Sequence, residues 1–177
     1  EVSKRLLVIT DRVFNTWETL PKMPRGRASA ASCVLSDGRM ALFGGFTQDS
    51  KKDVTPCTLY PPTGYQHATM TGPLKPSATS IAFDVHTSRW VQLPAMPCFR
   101  IGMSATPVRG SVLLTGGTMP YGEFWPGTAD RAGQPIPQVS TESLLFDETS
   151  WGWYELPHEM SMPRSNHCCS RCLCPTH

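Results

Sequence analysis

One phrase is written three times along the 177 residues: "WETLPKMPRGR" from Trp17, "WVQLPAMPCFR" from Trp90 and "WYELPHEMSMPR" from Trp153. A chain that repeats itself at intervals builds the same supersecondary unit each time, because a unit unable to bury its own apolar face must stack on a copy of itself. The frame around the phrase recurs as well. Asp11, Asp84 and Asp147 each stand six residues ahead of the Trp. After the Arg comes a run of small and apolar residues, then a polar turn, then a second apolar run that stops at a glycine pair. The first copy reads "ASAASCVL", "SDGR", "MALFGG"; the second reads "IGMSATPV", "RGS", "VLLTGG".

Two short apolar runs joined by a Gly-containing turn predict an antiparallel hairpin. The later "SIAFDVHTSRWVQL" and "SLLFDETSWGWYEL" predict a second hairpin of the same kind, which gives four strands per unit. Asp84 and Asp147 open the polar turns, where a carboxylate can bond nearby backbone amides. Pro follows Leu20, Leu93 and Leu156, denying the ladder a donor and ending the outer strand. The pairs Gly44-Gly45 and Gly116-Gly117 predict positive φ or close backbone approach at the end of a buried strand. Trp17, Trp90 and Trp153 read as wedges between neighbouring sheets, each burying on the order of 200 Å². Met23, Met96 and Met162 read as adaptable packing.

Composition narrows the function. Net charge is +2, with 16 basic and 14 acidic residues spread along the chain, so no strong field points to nucleic acid or an anionic membrane. No apolar run reaches the roughly 20 residues needed to span a bilayer, and "RLLVITDRVF" is too short and polar for a signal peptide. Seven cysteines without regular spacing argue against a disulfide scaffold, which favours a cytoplasmic over a secreted location. In "HCCSRCLCPTH" Cys169 and Cys172 have C-x-x-C spacing, with His167, Cys168, Cys174 and His177 nearby, but no second ligand pair accompanies them. No metal is expected there, and after Ser170 the repeat pattern stops.

The double glycine, the aromatic-Asp step and the Trp followed by Leu-Pro, Met-Pro and Arg resemble the kelch repeat, from Leu6 to Ser170. Kelch units of about 50 residues form propellers of typically 4 to 8 four-stranded blades. The resemblance implies an all-β fold, a partial kelch-type β-propeller of four-stranded antiparallel blades. Residues 1–20 are expected to supply the outer strands of a preceding blade. Residues 26–93 and 99–156 then form two complete blades, and residues 165–177 hold the first strand of a next blade and an irregular Cys-rich tail. The Trp-to-Trp distances of 73 and 63 residues exceed the family's unit, and the excess falls in insertions at Phe46 to Ser80 and Thr118 to Thr141. About two and three-quarter blades cannot close a ring. The expectation is therefore a fragment, an incomplete gene product, or one part of a larger ring whose missing blades lie in the same or another chain.

What the resemblance implies for function is a non-catalytic protein-protein interaction module without a cofactor. Such modules serve as the substrate-recognition part of a ubiquitin-ligase adaptor or as a scaffold. The alternative is a piece of a kelch-propeller enzyme, galactose-oxidase-like or sialic-acid-epimerase-like. The histidines at 67, 86, 158, 167 and 177 match no copper site of that type, and neither a G-x-S-x-G elbow nor a phosphate-binding glycine loop is present. Recognition in propellers sits on the loops, so the candidate partner-binding residues are Tyr60, Tyr65 and His67 in one insertion and Tyr121, Phe124, Trp125 and Arg131 in the other. Folding back onto the blades as a satellite cluster is the competing reading. Arg27, Arg100 and Arg164 recur at matching places, either tying adjacent blades together through backbone carbonyls or lining a mouth for acidic partners.

Overall fold

The computed structural model describes residues 7–9, 17–48, 74–119 and 138–170, and all its regular elements are β-strands. Strands β1 (Leu7–Ile9) and β2 (Trp17–Thr19) pair with each other. The first full blade is built from β4 (Ala31–Val34), β5 (Met40–Phe43), β8 (Ser80–Asp84) and β9 (Arg89–Leu93), antiparallel in that order. Its short companions β3 (Arg27–Ala28), β6 (Phe46–Gln48) and β7 (Leu74–Pro76) form a separate three-stranded sheet beyond the glycine pair. The second blade repeats the plan with β10 (Ser104–Val108), β11 (Ser111–Thr115), β14 (Ser143–Asp147) and β15 (Gly152–Glu155). Between its second and third strands, β12 (Thr118–Met119) pairs with β13 (Gln138–Val139). The chain thus folds as part of a β-propeller, in blades of four antiparallel strands as the repeat predicts.

Register decides which side chains meet. Ala31, Phe43, Ser80 and Leu93 line up across the first blade, as do Cys33, Ala41, Ala82 and Val91, and this face looks onto the second blade. The second blade answers with Val112, Leu114, Leu144 and Phe146, all nearly inaccessible, together with Trp153. Phe43 sits 5.9 Å from Phe146 and meets Trp153 edge-on at 5.7 Å, so aromatic rings from both blades interlock at the seam. Large, rigid rings fill such a seam with little loss of side-chain entropy.

The two blades point the same way. At their turn ends, Ser36 donates from its amide and hydroxyl to Glu148 at 2.8 and 2.5 Å, and the Arg39 guanidinium lies 4.8 Å from the Trp151 ring centre. At their glycine ends, the Gly45 amide donates to the Arg100 carbonyl at 2.9 Å. Trp151 takes a left-handed backbone, φ 55°, where the first blade has Ser88 at 53°. The turn fixes that conformation whatever the residue, and the indole is held beneath Arg39 and edge-on to Phe146.

The repeat holds through the seam bonds. The Trp90 Nε1–H donates to the Pro21 carbonyl at 2.9 Å, and the Trp153 Nε1–H to the Pro94 carbonyl at 3.1 Å. Each indole therefore reaches back to the Pro that follows the preceding hairpin, Pro21 after β2 and Pro94 after β9. Two readings need revision. Residues 165–170, expected as a first strand, carry no ladder among the described residues, because no described second strand lies beside them to take one up. They still run where such a strand would lie: the Asn166 amide donates to the Gly102 carbonyl at 2.8 Å, as the Gly102 amide donates to the Ser29 carbonyl at 3.0 Å.

The second revision concerns the methionines. Met160, not Met162, takes the place of Met96: the Met96 amide donates to the Ala78 carbonyl and the Met160 amide to the Thr141 carbonyl, both at 2.8 Å. The Met-Pro dipeptide at Met162 drew the eye to the wrong residue. Counted back from the Arg, the step is four residues in all three copies, Met23 to Arg27, Met96 to Arg100 and Met160 to Arg164. Met162 is 62% exposed and packs nothing of that kind.

Candidate functional site

The glycine end of the two blades is where the insertions leave, and it is built around two pairs of residues that no other type could replace. Gly44 and Gly45 have φ of 59° and 82°, and Gly116 and Gly117 have 59° and 92°. A Cβ on Gly44 would stand 2.6 Å from the Arg100 carbonyl oxygen, one on Gly45 2.6 Å from that of Ala28, and one on Gly116 would collide with the Arg164 carbonyl. Positive φ and a backbone neighbour coincide at each position, so both reasons for glycine apply together.

The repeated arginines close this end. Arg27 Nη1 donates to the carbonyls of Gly44 and Thr79 at 2.8 and 2.9 Å, and its Nη2 to the Thr79 hydroxyl at 2.6 Å. Arg100 does the same one blade on: Nη1 donates to the carbonyls of Gly116 and Glu142 at 3.3 and 3.2 Å, Nη2 pairs with the Glu142 carboxylate, and Nε lies 3.2 Å from the Cys98 sulfur. Each guanidinium therefore clamps the end of the second strand to the start of the third within its own blade. The link between blades is made by backbone instead, Gly45 N–H to the Arg100 carbonyl and Gly117 N–H to the Arg164 carbonyl at 2.9 and 2.8 Å.

Arginine suits the clamp because its planar fork of donors reaches converging carbonyls that lysine could not span. Arg100 is 1% exposed, and burial together with the nearby Arg25 charge lowers the pKa of Arg27 from its ordinary value. Neither side chain offers a free cation to a partner's acid. Arg164 differs: its guanidinium is exposed, and only its backbone enters the seam.

From this clamped end, β6–β7 and β12–β13 rise as the stems of the two insertions. The Gly45 carbonyl accepts from the Ser77 amide at 2.9 Å and the Gly117 carbonyl from the Ser140 amide at 2.8 Å, so each stem is tied at its base in the same way. The candidate residues Tyr60, Tyr65, His67, Tyr121, Phe124, Trp125 and Arg131 lie outside the described residues, and so does the side chain of Trp17.

Among the described residues, no group of three or more His, Cys, Asp and Glu comes together to hold a metal ion. His167 Nε2 lies 2.9 Å from the Thr115 hydroxyl, and Cys169 joins the second blade through its backbone, N–H to Ser104 Oγ and C=O from Thr106 Oγ1, each at 2.8 Å. Cys172, Cys174 and His177 lie outside the described residues. The Cys33 thiol is pushed up to about 12 by burial and by the Glu148 charge, which keeps it a neutral packing group at physiological pH.

No family model matches this chain, and no curated protein does. Among solved structures the chain is similar to that of YjhT, a kelch-type propeller protein, with a TM-score of 0.62 over 93% of this chain at 16% identity. The match takes up 46% of the YjhT chain, so this chain spans about half the length of the propeller it resembles. At that identity the likeness concerns architecture alone, and it agrees with the sheet order and seam described above: the chain has the fold of a partial β-propeller.

Proposed function

We propose that the chain is a non-catalytic protein-interaction module of kelch type, the substrate-recognition part of a ubiquitin-ligase adaptor or a scaffold. One observation carries the reading most: both insertions leave from the same end of two interlocked blades, on stems fixed by arginine clamps and glycine seams. A rigid base that holds two loops side by side lowers the ordering cost a partner must meet, which is how loop-bearing scaffolds gain affinity. The sequence of those loops supplies Tyr, Trp and Arg, the side chains that dominate binding energy at protein interfaces.

The test is affinity capture from cell extract with quantitative mass spectrometry, comparing the wild-type chain with a Tyr121→Ala, Phe124→Ala, Trp125→Ala triple variant whose near-UV circular dichroism matches. A discrete set of proteins retained by the first and lost by the second is the expected result. Copper retained through purification together with sugar oxidation would replace this reading with the enzyme alternative. Identical retention by the two proteins would remove the loops from the account.

A further inference from the structure

Polar contacts join the two blades at both ends of their apolar seam. Burial of Phe43, Phe146 and Trp153 draws the blades together without direction, so their relative tilt is set by contacts of fixed geometry. At the glycine end these are backbone bonds, Gly45 N–H to the Arg100 carbonyl at 2.9 Å and Gly102 N–H to the Ser29 carbonyl at 3.0 Å. At the turn end they are made with side chains. Glu148 Oε2 accepts from both the amide and the hydroxyl of Ser36, a charge-assisted pair, and the Arg39 guanidinium lies over the Trp151 ring, steadied by Asp37 Oδ2 at 2.6 Å from its Nη2.

The two ends differ in one respect. The glycine-end bonds recur at the next step, from Gly117 N–H to the Arg164 carbonyl and from Asn166 N–H to the Gly102 carbonyl, and the Trp153 bond to Pro94 has its copy in Trp90 and Pro21. The turn-end residues are written once. Asp84 and Asp147 share a step of the repeat, so Val85 and Ser88 stand where the second blade has Glu148 and Trp151, and neither brings a carboxylate or a ring. Counting from Ala31 and Ser104, which start the corresponding strands, Arg109 takes the step of Ser36. A device that serves every seam is carried by the repeat; one written once serves its own junction. This junction joins the two blades from which the stems β6–β7 and β12–β13 rise.

We propose that Ser36, Arg39, Glu148 and Trp151 form a clasp that fixes the tilt of the second blade against the first, and with it the spacing of the two insertion stems. Each four-stranded sheet moves as one body, so a tilt released at the turn end is carried along the strands to the glycine end. Ser36 and Trp151 are exposed, and contacts in solvent add little to stability, so the clasp acts on orientation and not on folding. Its bearing on recognition rests on the reading of the insertions as the partner surface; the clasp itself does not.

The experiment is measurement of NMR residual dipolar couplings on the 177-residue chain, comparing wild type with a Glu148→Val, Trp151→Ser double variant that gives the second blade the residues of the first. In the wild type, one alignment tensor fitted to the structure is expected to account for the amides of both four-stranded sheets. In the variant each sheet keeps its own fit and the shared tensor is lost, with a smaller fall in melting temperature than Trp153→Ala causes. Glu148→Val alone supplies the same test if the double variant disturbs either sheet. A shared tensor that survives in the variant overturns the proposal, and so does a wild type that needs two. No partner takes part in the measurement. Loops that capture nothing therefore leave the clasp standing, and a clasp that fails here leaves the role of the loops untouched.

Discussion

Arg100 and Arg164 stand at the same step of the repeat and have opposite surroundings. The first donates to Gly116, Glu142 and Cys98 and is 1% exposed; the second lends the seam its carbonyl and leaves its guanidinium in solvent. The backbone half of the device belongs to the blade before, and the side-chain half to the blade that follows. A repeated residue therefore cannot be assigned one role from its recurrence: its chemistry is set by the carbonyls and carboxylates that the described strands bring around it.

The largest loss expected from this arrangement comes from the glycine seam. Gly44→Val combines a left-handed backbone with collision against the Arg100 carbonyl, so about 3–5 kcal/mol of stability should disappear. Chemical denaturation would read it, and Gly38→Ala, also at positive φ but with open space around it, is the comparison that isolates the collision. A loss no greater at Gly44 than at Gly38 would mean that the seam is looser than described.

Next in size is Trp153→Ala. It removes the ring wedged against Phe43 and Phe146 and the bond to Pro94, at a cost of about 2–4 kcal/mol, or roughly 4–12 °C in melting temperature for a chain of this length. Trp151→Ala, in the same hairpin but exposed, should cost clearly less. Equal losses would place the wedge in the wrong residue.

The smallest effect is electrostatic. Asp147 is held below the ordinary carboxylate range by the Thr149 amide and hydroxyl and by Ser150, and Asp84 by bonds from Thr87 and His86. A carboxyl whose folded pKa lies below its unfolded value adds stability above the unfolded value and loses it as pH falls through the folded one. Asp147→Asn should therefore narrow the difference between the melting temperatures at pH 7 and pH 3. An unchanged difference would show that the turn carboxylate is not coupled to folding.

Much of the architecture was legible in the sequence because the repeat states it several times. Strand number, the turns at Asp84 and Asp147, the Pro stops and the glycine pairs each appear in register, and a recurring signal is hard to misread. The arginines were half legible. Recurrence marked them, but only coordinates separate a side-chain clamp within a blade from a backbone bond between blades. Met162 was misread because dipeptide identity outweighed spacing, although the four-residue step to the Arg was there to be counted. The single-residue insertion before Met160 hid it. Trp151 stands in a hairpin turn, and its partner Arg39, more than a hundred residues away, could not be guessed from a local pattern. The partner-binding loops have no counterpart in the repeat, so periodicity says nothing about them.

The contrast between the two arginines is also the most direct test of the account. Arg100→Ala and Arg164→Ala should be made separately and their unfolding free energies measured side by side. The account predicts a loss of about 2–4 kcal/mol for the first, from buried carbonyls left without donors, and within about 0.5 kcal/mol of wild type for the second. Equal losses at the two positions would contradict it, because then the side chain would matter where no clamp is formed.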